Sequence, residues 1–183
     1  MKTKLKTSDK IVIVIAIVIV ALIAYDIISR AIESKRQEDN ADTVYNALFV
    51  SEKAEVVKLH EAIARAIETS DEEHYALALE TAENTETICM QTFGNNSNTV
   101  TTFGAGLNYY STFYRDVKFV LSEHRDPSEL QSLNDLISEI ITLYNAHADP
   151  SSAHEKFKAA ENFYNSVYLL LENNREVLLN IYE

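Results

Sequence analysis

Apolar and polar residues divide the chain into one uninterrupted apolar run near its start and a long region of helical periodicity after it. Residues 11–25 contain no charged side chain. As a helix they rise about 22 Å, and extension to Ile28 brings the rise to about 27 Å, which is just enough to cross the hydrocarbon core of a bilayer. The pattern predicts a transmembrane signal-anchor helix over residues 11–28, with the lipid bilayer as its partner from Ile11 to Ile28.

A cleaved secretory signal is the alternative interpretation of this run, because a basic segment followed by an apolar stretch of this length also fits a signal peptide. Ala24 offers a small residue at a cleavage position. Leu22, however, occupies the position two residues earlier, where a second small residue is expected. The sequence therefore favours an uncleaved anchor, and a protein secreted after signal cleavage is the alternative.

Basic residues are distributed unevenly around the apolar run, and this distribution predicts its orientation. Four lysines precede the run, whereas the three basic residues that follow it are mixed with four nearby acidic ones. Residues 1–10 are accordingly predicted to be a basic cytoplasmic tail, and the C-terminal domain is predicted to lie on the extracytoplasmic side of the cell membrane. Residues 29–43 are polar without a helix breaker, which predicts a helical stalk.

From residue 44 onwards, apolar residues recur every three or four positions, which indicates amphipathic helices. The first helix is predicted to end at Thr69, and the pair Ser70 and Glu73 predicts a capping box for the next helix. That helix is predicted to run from Asp71 to Thr92 and to be ended by Gly94. The inward positions are Tyr45, Leu48, Glu52, Val56, Leu59, Ile63 and Ala66 in the first helix, and Tyr75, Ala78, Ala82, Thr85 and Cys89 in the second.

Three more helices are predicted after a loop at residues 94–99. Asp126 with Pro127, and Asp149 with Pro150, predict the starts of the fourth and fifth helices, because aspartate caps a helix and proline fits its first position. Asn174 interrupts the fifth helix. The predicted inward positions are Val100, Phe103, Leu107, Tyr110, Tyr114, Val117 and Leu121, then Leu130, Leu133, Ile137, Ile140 and Tyr144, then Phe157, Ala160, Tyr164, Val167, Leu171, Leu178 and Ile181.

The helical period and the short connections predict an all-α protein in which the N-terminal transmembrane helix precedes an antiparallel four- to five-helix bundle. Three glycines and two prolines in 183 residues are too few for the turns of a β-sheet protein. The bundle domain is predicted to occupy residues 44–183. This layout resembles that of LemA-type membrane proteins in outline, and no motif in the sequence assigns the chain to that family.

The net charge argues against one class of partner, and the cysteine content excludes an intramolecular disulfide. The formal net charge is −12, and residues 11–183 carry 12 basic and 27 acidic side chains, a net charge of −15. Repulsion from phosphate groups argues against nucleic acid as a partner. Cys89 is the only cysteine, so no intramolecular disulfide can form, and its helix position predicts a small buried residue.

No residue pattern predicts catalysis, a cofactor or a metal site, and we expect the protein not to be an enzyme. The histidines lack the Glu-x-x-His spacing of bundle di-iron sites. His147 and His154, on either side of Pro150, are interpreted as residues that complement helix ends. No serine or cysteine lies on a glycine-rich turn that would activate a nucleophile.

Aromatic residues on the third and fifth predicted helices form faces wider than one seam requires. We interpret them as a thick bundle core, with a ligand pocket or a partner-binding face as the functional alternative. The residues of this candidate face are Tyr109, Tyr110, Phe113, Tyr114, Phe163, Tyr164 and Tyr168.

Anchor and bundle together predict a single-pass membrane protein that acts as an interaction or accessory subunit at the extracytoplasmic face. Its predicted partner is another membrane or envelope protein, and self-association into a homo-oligomer is compatible with the same surface. The alternative is a ligand-sensing ectodomain that signals through a partner protein, because only residues 1–10 remain on the cytoplasmic side.

Overall fold

A computed structural model of the chain describes residues 7–96, 104–124, 126–146 and 150–179, with side chains at residues 15, 17–92, 110, 112–123, 126–146 and 150–177. Every regular element in these ranges is helical, which confirms the predicted all-α class. Two π-helical segments, Ala47–Glu52 and Val120–His124, follow the first and fourth helices. The α-helices are α1 (Thr7–Asn46), α2 (Lys53–Thr69), α3 (Glu72–Asn96), α4 (Gly104–Phe119), α5 (Pro127–Ala146), α6 (Ala153–Asn173) and α7 (Arg175–Leu179).

The predicted transmembrane helix is not supported by the structure. Among the described residues, no helix combines the length and the apolar character that crossing a membrane requires. The side chains of residues 11–14 and of Ala16, which belong to the predicted span, lie outside the described residues. The polar residues 29–43 are helical within α1, and their role as a stalk stays a prediction.

The chain divides into two compact units, residues 1–40 and residues 41–183. In the first unit, every described apolar side chain is exposed. In the second unit, α2 packs against α3 and α5, α3 packs against α4, and α6 packs against α4 and α5. The helical bundle is therefore confirmed, and five long helices of the described chain form it.

Two side-chain hydrogen bonds establish that α2 and α5 are antiparallel. His60 Nδ1 and Asn134 Oδ1 are 2.8 Å apart, and Tyr144 Oη donates to Glu52 Oε1 at 2.7 Å. The earlier position on the one helix therefore faces the later position on the other. A connection of two residues between α2 and α3 leaves these neighbours no room for a crossover.

The turn between α2 and α3 lies where the sequence predicts it, with a different capping residue. Ser70 has a left-handed backbone, with φ of 52°, and ends α2. A residue in that conformation cannot be the extended N-cap of the next helix. Asp71 caps α3 instead, because its Oδ1 accepts a hydrogen bond from the Glu73 backbone N–H at 3.0 Å. The expected ending at Gly94 is also wrong, since α3 continues to Asn96.

The starts of α5 and α6 test the two aspartate–proline predictions separately. α5 begins at Pro127, and Asp126 Oδ1 accepts from the Ser128 backbone N–H at 2.7 Å, as expected. The sequence predicts that α6 starts at Asp149 with Pro150, but the helix begins at Ala153 and its N-cap is Ser152. The Ser152 Oγ accepts from the Glu155 N–H, and the Glu155 carboxylate accepts from the Ser152 N–H, which is a reciprocal capping box. Asp149 lies outside the described residues.

One apolar core runs through the bundle and confirms the predicted seams. Every described seam position is buried except Tyr45 and Phe157, which are half-buried. Asn174 interrupts the last helix as predicted, between α6 and α7. The side chains that lie outside the described residues are those of Val100, Phe103, Leu107, Leu178 and Ile181.

Candidate functional site

Glu52 is the one acidic residue of the predicted seams, and the structure places its side chain fully inside the core, with 0% exposure. A glutamate is almost never fully buried without a partner, because an ionised carboxylate loses its hydration. Glu52 is the last residue of the π-helical segment Ala47–Glu52, which also buries Leu48 and Phe49. Short π-helical turns occur frequently at functional sites. Glu52 is therefore the centre of the candidate site.

Three tyrosines are connected to Glu52 by a chain of hydrogen bonds. Tyr144 Oη donates to Glu52 Oε1 at 2.7 Å, the Oη atoms of Tyr110 and Tyr144 are 2.7 Å apart, and Tyr114 Oη donates to Tyr110 Oη at 2.9 Å. Each phenol has only one proton to donate. Because Tyr144 donates to Glu52, it must accept from Tyr110. The three hydroxyl groups therefore all donate in one direction, toward the carboxyl group.

The second carboxyl oxygen of Glu52 has a different environment. Among the described residues, Oε2 has no hydrogen-bond partner of normal geometry. The Cys89 thiol and the Thr92 hydroxyl, both buried on α3, lie near enough to lower the pKa of Glu52. No ion pair found between described residues includes Glu52. An ionised Glu52 would thus have one well-bonded oxygen and no opposite charge in contact.

Burial raises the pKa of Glu52 from 4.5 to about 7, because the charged form loses its water. The hydrogen bond from Tyr144 acts in the opposite direction and offsets part of this effect. Burial also raises the pKa of the Cys89 thiol well above 9.0, and the charge of Glu52 raises it further. Glu52 is therefore the member of this group whose protonation changes near neutral pH.

The three tyrosines remain protonated over the same range. Burial raises the pKa of Tyr110, Tyr114 and Tyr144 well above 10.0 in each case, and the charge of Glu52 adds to the effect. Phenols in this state act as hydrogen-bond donors and not as bases. We call Glu52, Cys89, Thr92, Tyr110, Tyr114 and Tyr144 the Glu52 network.

Aromatic rings pack around the hydroxyl chain and exclude water from it. Phe163, with 0% exposure, is the centre of this packing. Its ring centroid lies 4.2 Å from that of Tyr144, 5.7 Å from that of Phe49 and 5.9 Å from that of Tyr110. Most of these rings meet edge to face, the arrangement that aromatic quadrupoles favour. The network is therefore held by side chains that cannot move without disturbing the core.

The candidate aromatic face of the sequence is mostly interior in the structure. Tyr110, Phe113, Tyr114, Phe163 and Tyr164 are all buried. Tyr168 is half-buried, and the side chain of Tyr109 lies outside the described residues. The structure brings Tyr110, Tyr114, Phe163 and Tyr164 into contact with one another. A role for the seven residues in binding a ligand or a partner stays a prediction.

The bundle also has grooves on its surface. One groove, of about 300 Å³, lies between α5 and α6 and is lined by Glu139, Thr142, Leu143, Ser166 and Leu170. A second groove, of about 220 Å³, lies between α2 and α3 and includes Lys58, Arg65 and Leu77. The described residues contain no group of three or more His, Cys, Asp or Glu side chains that could hold a metal ion. His147 lies outside the described residues, and His154 is exposed.

Fold and site together define an all-helical bundle with a fully buried carboxyl group, that of Glu52, and an aromatic hydroxyl chain at its centre. No protein family matches this chain, and neither a curated protein nor a solved structure matches it.

The sequence predicts that four members of the Glu52 network each point inward, namely Glu52, Cys89, Tyr110 and Tyr144. It does not predict that these side chains contact one another. Glu52 belongs to a seam between Leu48 and Val56, and a glutamate at such a position is unfavourable unless other helices provide hydrogen-bond donors. That conflict between pattern and residue type was the available signal. The π-helical segment gives no comparable signal, because nothing in the letters ALFVSE departs from an ordinary α-helix.

Proposed function

We propose that this protein is a non-enzymatic interaction or accessory subunit, tethered by its N-terminal helix to a lipid bilayer and presenting the bundle on the extracytoplasmic side. The observation that carries this proposal is the exposure of the apolar side chains of α1. Eleven large apolar residues between Ile15 and Ile32 have exposed fractions of 51% to 73%. Water is a poor environment for so much contiguous apolar surface, which therefore requires a cover.

A bilayer is the proposed cover because the apolar residues occupy every side of the helix. Residues 17–25 carry no charge and are all exposed. A partner helix or a second copy would cover one stripe and leave the remaining sides in water, whereas lipid surrounds the helix. In the sequence the apolar run extends back to Ile11, and the whole stretch 11–28 gives a helix of about 27 Å.

The partner of the bundle is proposed to be another membrane or envelope protein. One supporting feature is the groove between α5 and α6 that Leu143 and Leu170 line. Another is Leu169, which lies beside Leu170 on α6 and is 58% exposed. The strong negative charge of residues 11–183 keeps the bundle away from anionic headgroups and from nucleic acid. These features favour a protein partner.

Membrane tethering is tested first, by fractionation of cells that produce the full chain. We expect the protein in the membrane pellet after an alkaline carbonate wash. The double variant Ile17→Asp with Val20→Asp should move it into the soluble fraction, because each buried charge opposes insertion by about 2.5 to 3.5 kcal/mol. The matched control, Ala31→Asp with Ile32→Asp, adds the same two charges to α1 beyond residue 28 and should leave the protein in the pellet.

Recovery of the unmodified chain in the soluble fraction would contradict the anchor. The accessory role is tested next by crosslinking and pull-down of the full chain from its native membranes. A reproducible membrane or envelope protein that is lost with Leu169→Asp would support it, and recovery of this chain alone would contradict it in favour of self-association.

A ligand-sensing ectodomain that signals through a partner is the second candidate function. The Glu52 network favours it, because an ionisable group in the centre of a bundle makes the packing dependent on conditions. In this proposal the bundle senses the ligand, and a partner protein carries the signal onward.

A further inference from the structure

The carboxyl group of Glu52 is surrounded by uncharged groups from the helices packed around it. Tyr164 on α6 belongs to this shell, because its pKa is raised first by burial and then by the charge of Glu52. Glu86, one turn before Cys89, is a charged group close to this shell, because its charge raises the pKa of the Cys89 thiol. Lys118 Nζ already pairs with it at 2.8 Å. The other titratable or hydroxyl groups facing Glu52 are Cys89 and Thr92 on α3, Tyr110 and Tyr114 on α4, and Tyr144 on α5.

We propose that Glu52 is a proton-binding site inside the bundle: the closed bundle holds it as a neutral carboxylic acid, and release of that proton to water opens the bundle at the π-helical segment Ala47–Glu52. The site lies in the second unit, and the inference does not depend on the membrane anchor. It gives the bundle a stimulus to which a tethered subunit can respond.

The geometry makes the π-helical segment the part that opens. The neutral acid satisfies Oε1 through Tyr144, and its own O–H on Oε2 can turn toward the Cys89 sulfur or the Thr92 hydroxyl. The carboxylate has no proton to donate from Oε2, and its charge stays out of water with no cation in contact among the described residues. Because Glu52 ends the segment, moving this single turn outward is the shortest route by which the charge reaches solvent.

The direction of the pH dependence follows from the two protonation equilibria. In the open state the pKa of Glu52 returns to its ordinary 4.5, whereas in the closed state it is about 7. The contribution of Glu52 to closure is therefore fully present below pH 4.5 and is lost as the pH rises to about 7. Across this window the equilibrium constant for opening rises by roughly 300-fold, and above it the constant no longer changes.

Cys89 provides a native probe of this opening, because it is the only cysteine in the chain and is 1% exposed beside Glu52. The experiment measures the rate at which a thiol reagent labels Cys89 in the full chain, kept in mild non-ionic detergent, between about pH 5 and about pH 8. Each rate is divided by the rate for the urea-unfolded chain at the same pH, which removes the thiol's own ionisation.

The key comparison is between the unmodified chain and Glu52→Gln, which keeps the shape of the side chain and cannot ionise. We expect the normalised rate to rise roughly 70-fold more in the unmodified chain than in the variant over this range. Glu61→Gln, an exposed glutamate on α2, is the matched control and should follow the unmodified chain. Equal pH profiles for the unmodified chain and Glu52→Gln would overturn the proposal.

A second measurement covers the case in which Glu52→Gln does not fold. Infrared spectra of the unmodified chain at about pH 6 should contain the carbonyl band of a protonated carboxylic acid, since exposed glutamates are ionised there. We expect this band to disappear with a midpoint near pH 7. Its absence at pH 6 would show that Glu52 is ionised in the closed bundle, and the proton site would be refuted.

Discussion

The bundle core contains two levels with different kinds of side chain, one aliphatic and one aromatic. The interface between α2 and α5 includes both levels. At the level of His60 and Asn134 the surrounding seam is aliphatic, and we call its residues the aliphatic layer: Leu59, Ile63, Leu130, Leu133 and Ile137, all buried. At the level of Glu52 and Tyr144 the core contains the Glu52 network and the rings of Phe49 and Phe163, which we call the aromatic layer. Eight residues separate Glu52, at the end of the π-helical segment, from His60 on α2, which is a rise of about 12 Å.

The two layers stabilise the fold by different means. The aliphatic layer gains free energy from removing apolar surface from water, which does not depend on pH. The aromatic layer gains the same kind of energy from larger side chains, but it also buries a carboxyl group whose neutral form is required. The comparison teaches that one continuous core can contain one layer of aliphatic side chains and another layer built around a carboxyl group whose protonation matters.

The largest effect is expected for Phe163→Ala in the aromatic layer. This ring contacts Phe49, Tyr110, Tyr144 and Tyr164, so its removal leaves a cavity among four rings that cannot collapse easily. We expect Phe163→Ala to lower the free energy of unfolding by about 3 to 5 kcal/mol. Urea unfolding of the full chain in mild detergent, followed by circular dichroism, measures it. Phe163→Leu should recover much of the loss, and an equal loss for both variants would show that the rings are not the cause.

Ile63→Ala in the aliphatic layer is expected to lower the free energy of unfolding by about 2 to 4 kcal/mol. Ile63 is fully buried between helices, and its truncation removes apolar contacts only. The loss should therefore be the same at pH 5 and at pH 8, measured by the same unfolding experiment. A loss that changes with pH would mean that the two layers are coupled, and the comparison between them would fail.

The aliphatic layer was predictable from sequence, whereas the aromatic layer was only partly so. Steps of three and four residues place Leu59, Ile63, Leu133 and Ile137 inward because periodicity alone decides an apolar face. The same reasoning places Glu52 and Tyr144 inward without saying that they meet. Their pairing depends on which helices are neighbours and on their register, and a single sequence does not contain either.

The helix starts were likewise only partly predictable from sequence. Asp126 with Pro127 predicts the start of α5 correctly, because the capping residue and the first helical residue are adjacent. The same pair at residues 149 and 150 does not start α6, since Ser152 and Glu155 offer a reciprocal capping box three residues later. Local chemistry predicts that a helix starts in this region, and competition between two caps decides at which residue.

Tyr144→Phe is expected to have the smallest effect and the most informative one. The change removes one hydroxyl, which donates to Glu52 and accepts from Tyr110, and keeps the ring packed on Phe163. We expect a loss of about 1 to 3 kcal/mol. Because the Tyr144 hydrogen bond is the largest influence that lowers the pKa of Glu52, its removal should raise that pKa further.

The loss caused by Tyr144→Phe should therefore be greater at pH 8, where the carboxylate loses a charge-assisted hydrogen bond, than at pH 5, where a neutral acid loses an ordinary one. Tyr114→Phe is the matched control, since its hydroxyl ends the same chain and bonds to Tyr110 rather than to Glu52. Its smaller loss should not change with pH. If the losses for both variants change equally with pH, the three hydroxyl groups act on Glu52 as a unit, and the dependence on pH reaches as far as Tyr114.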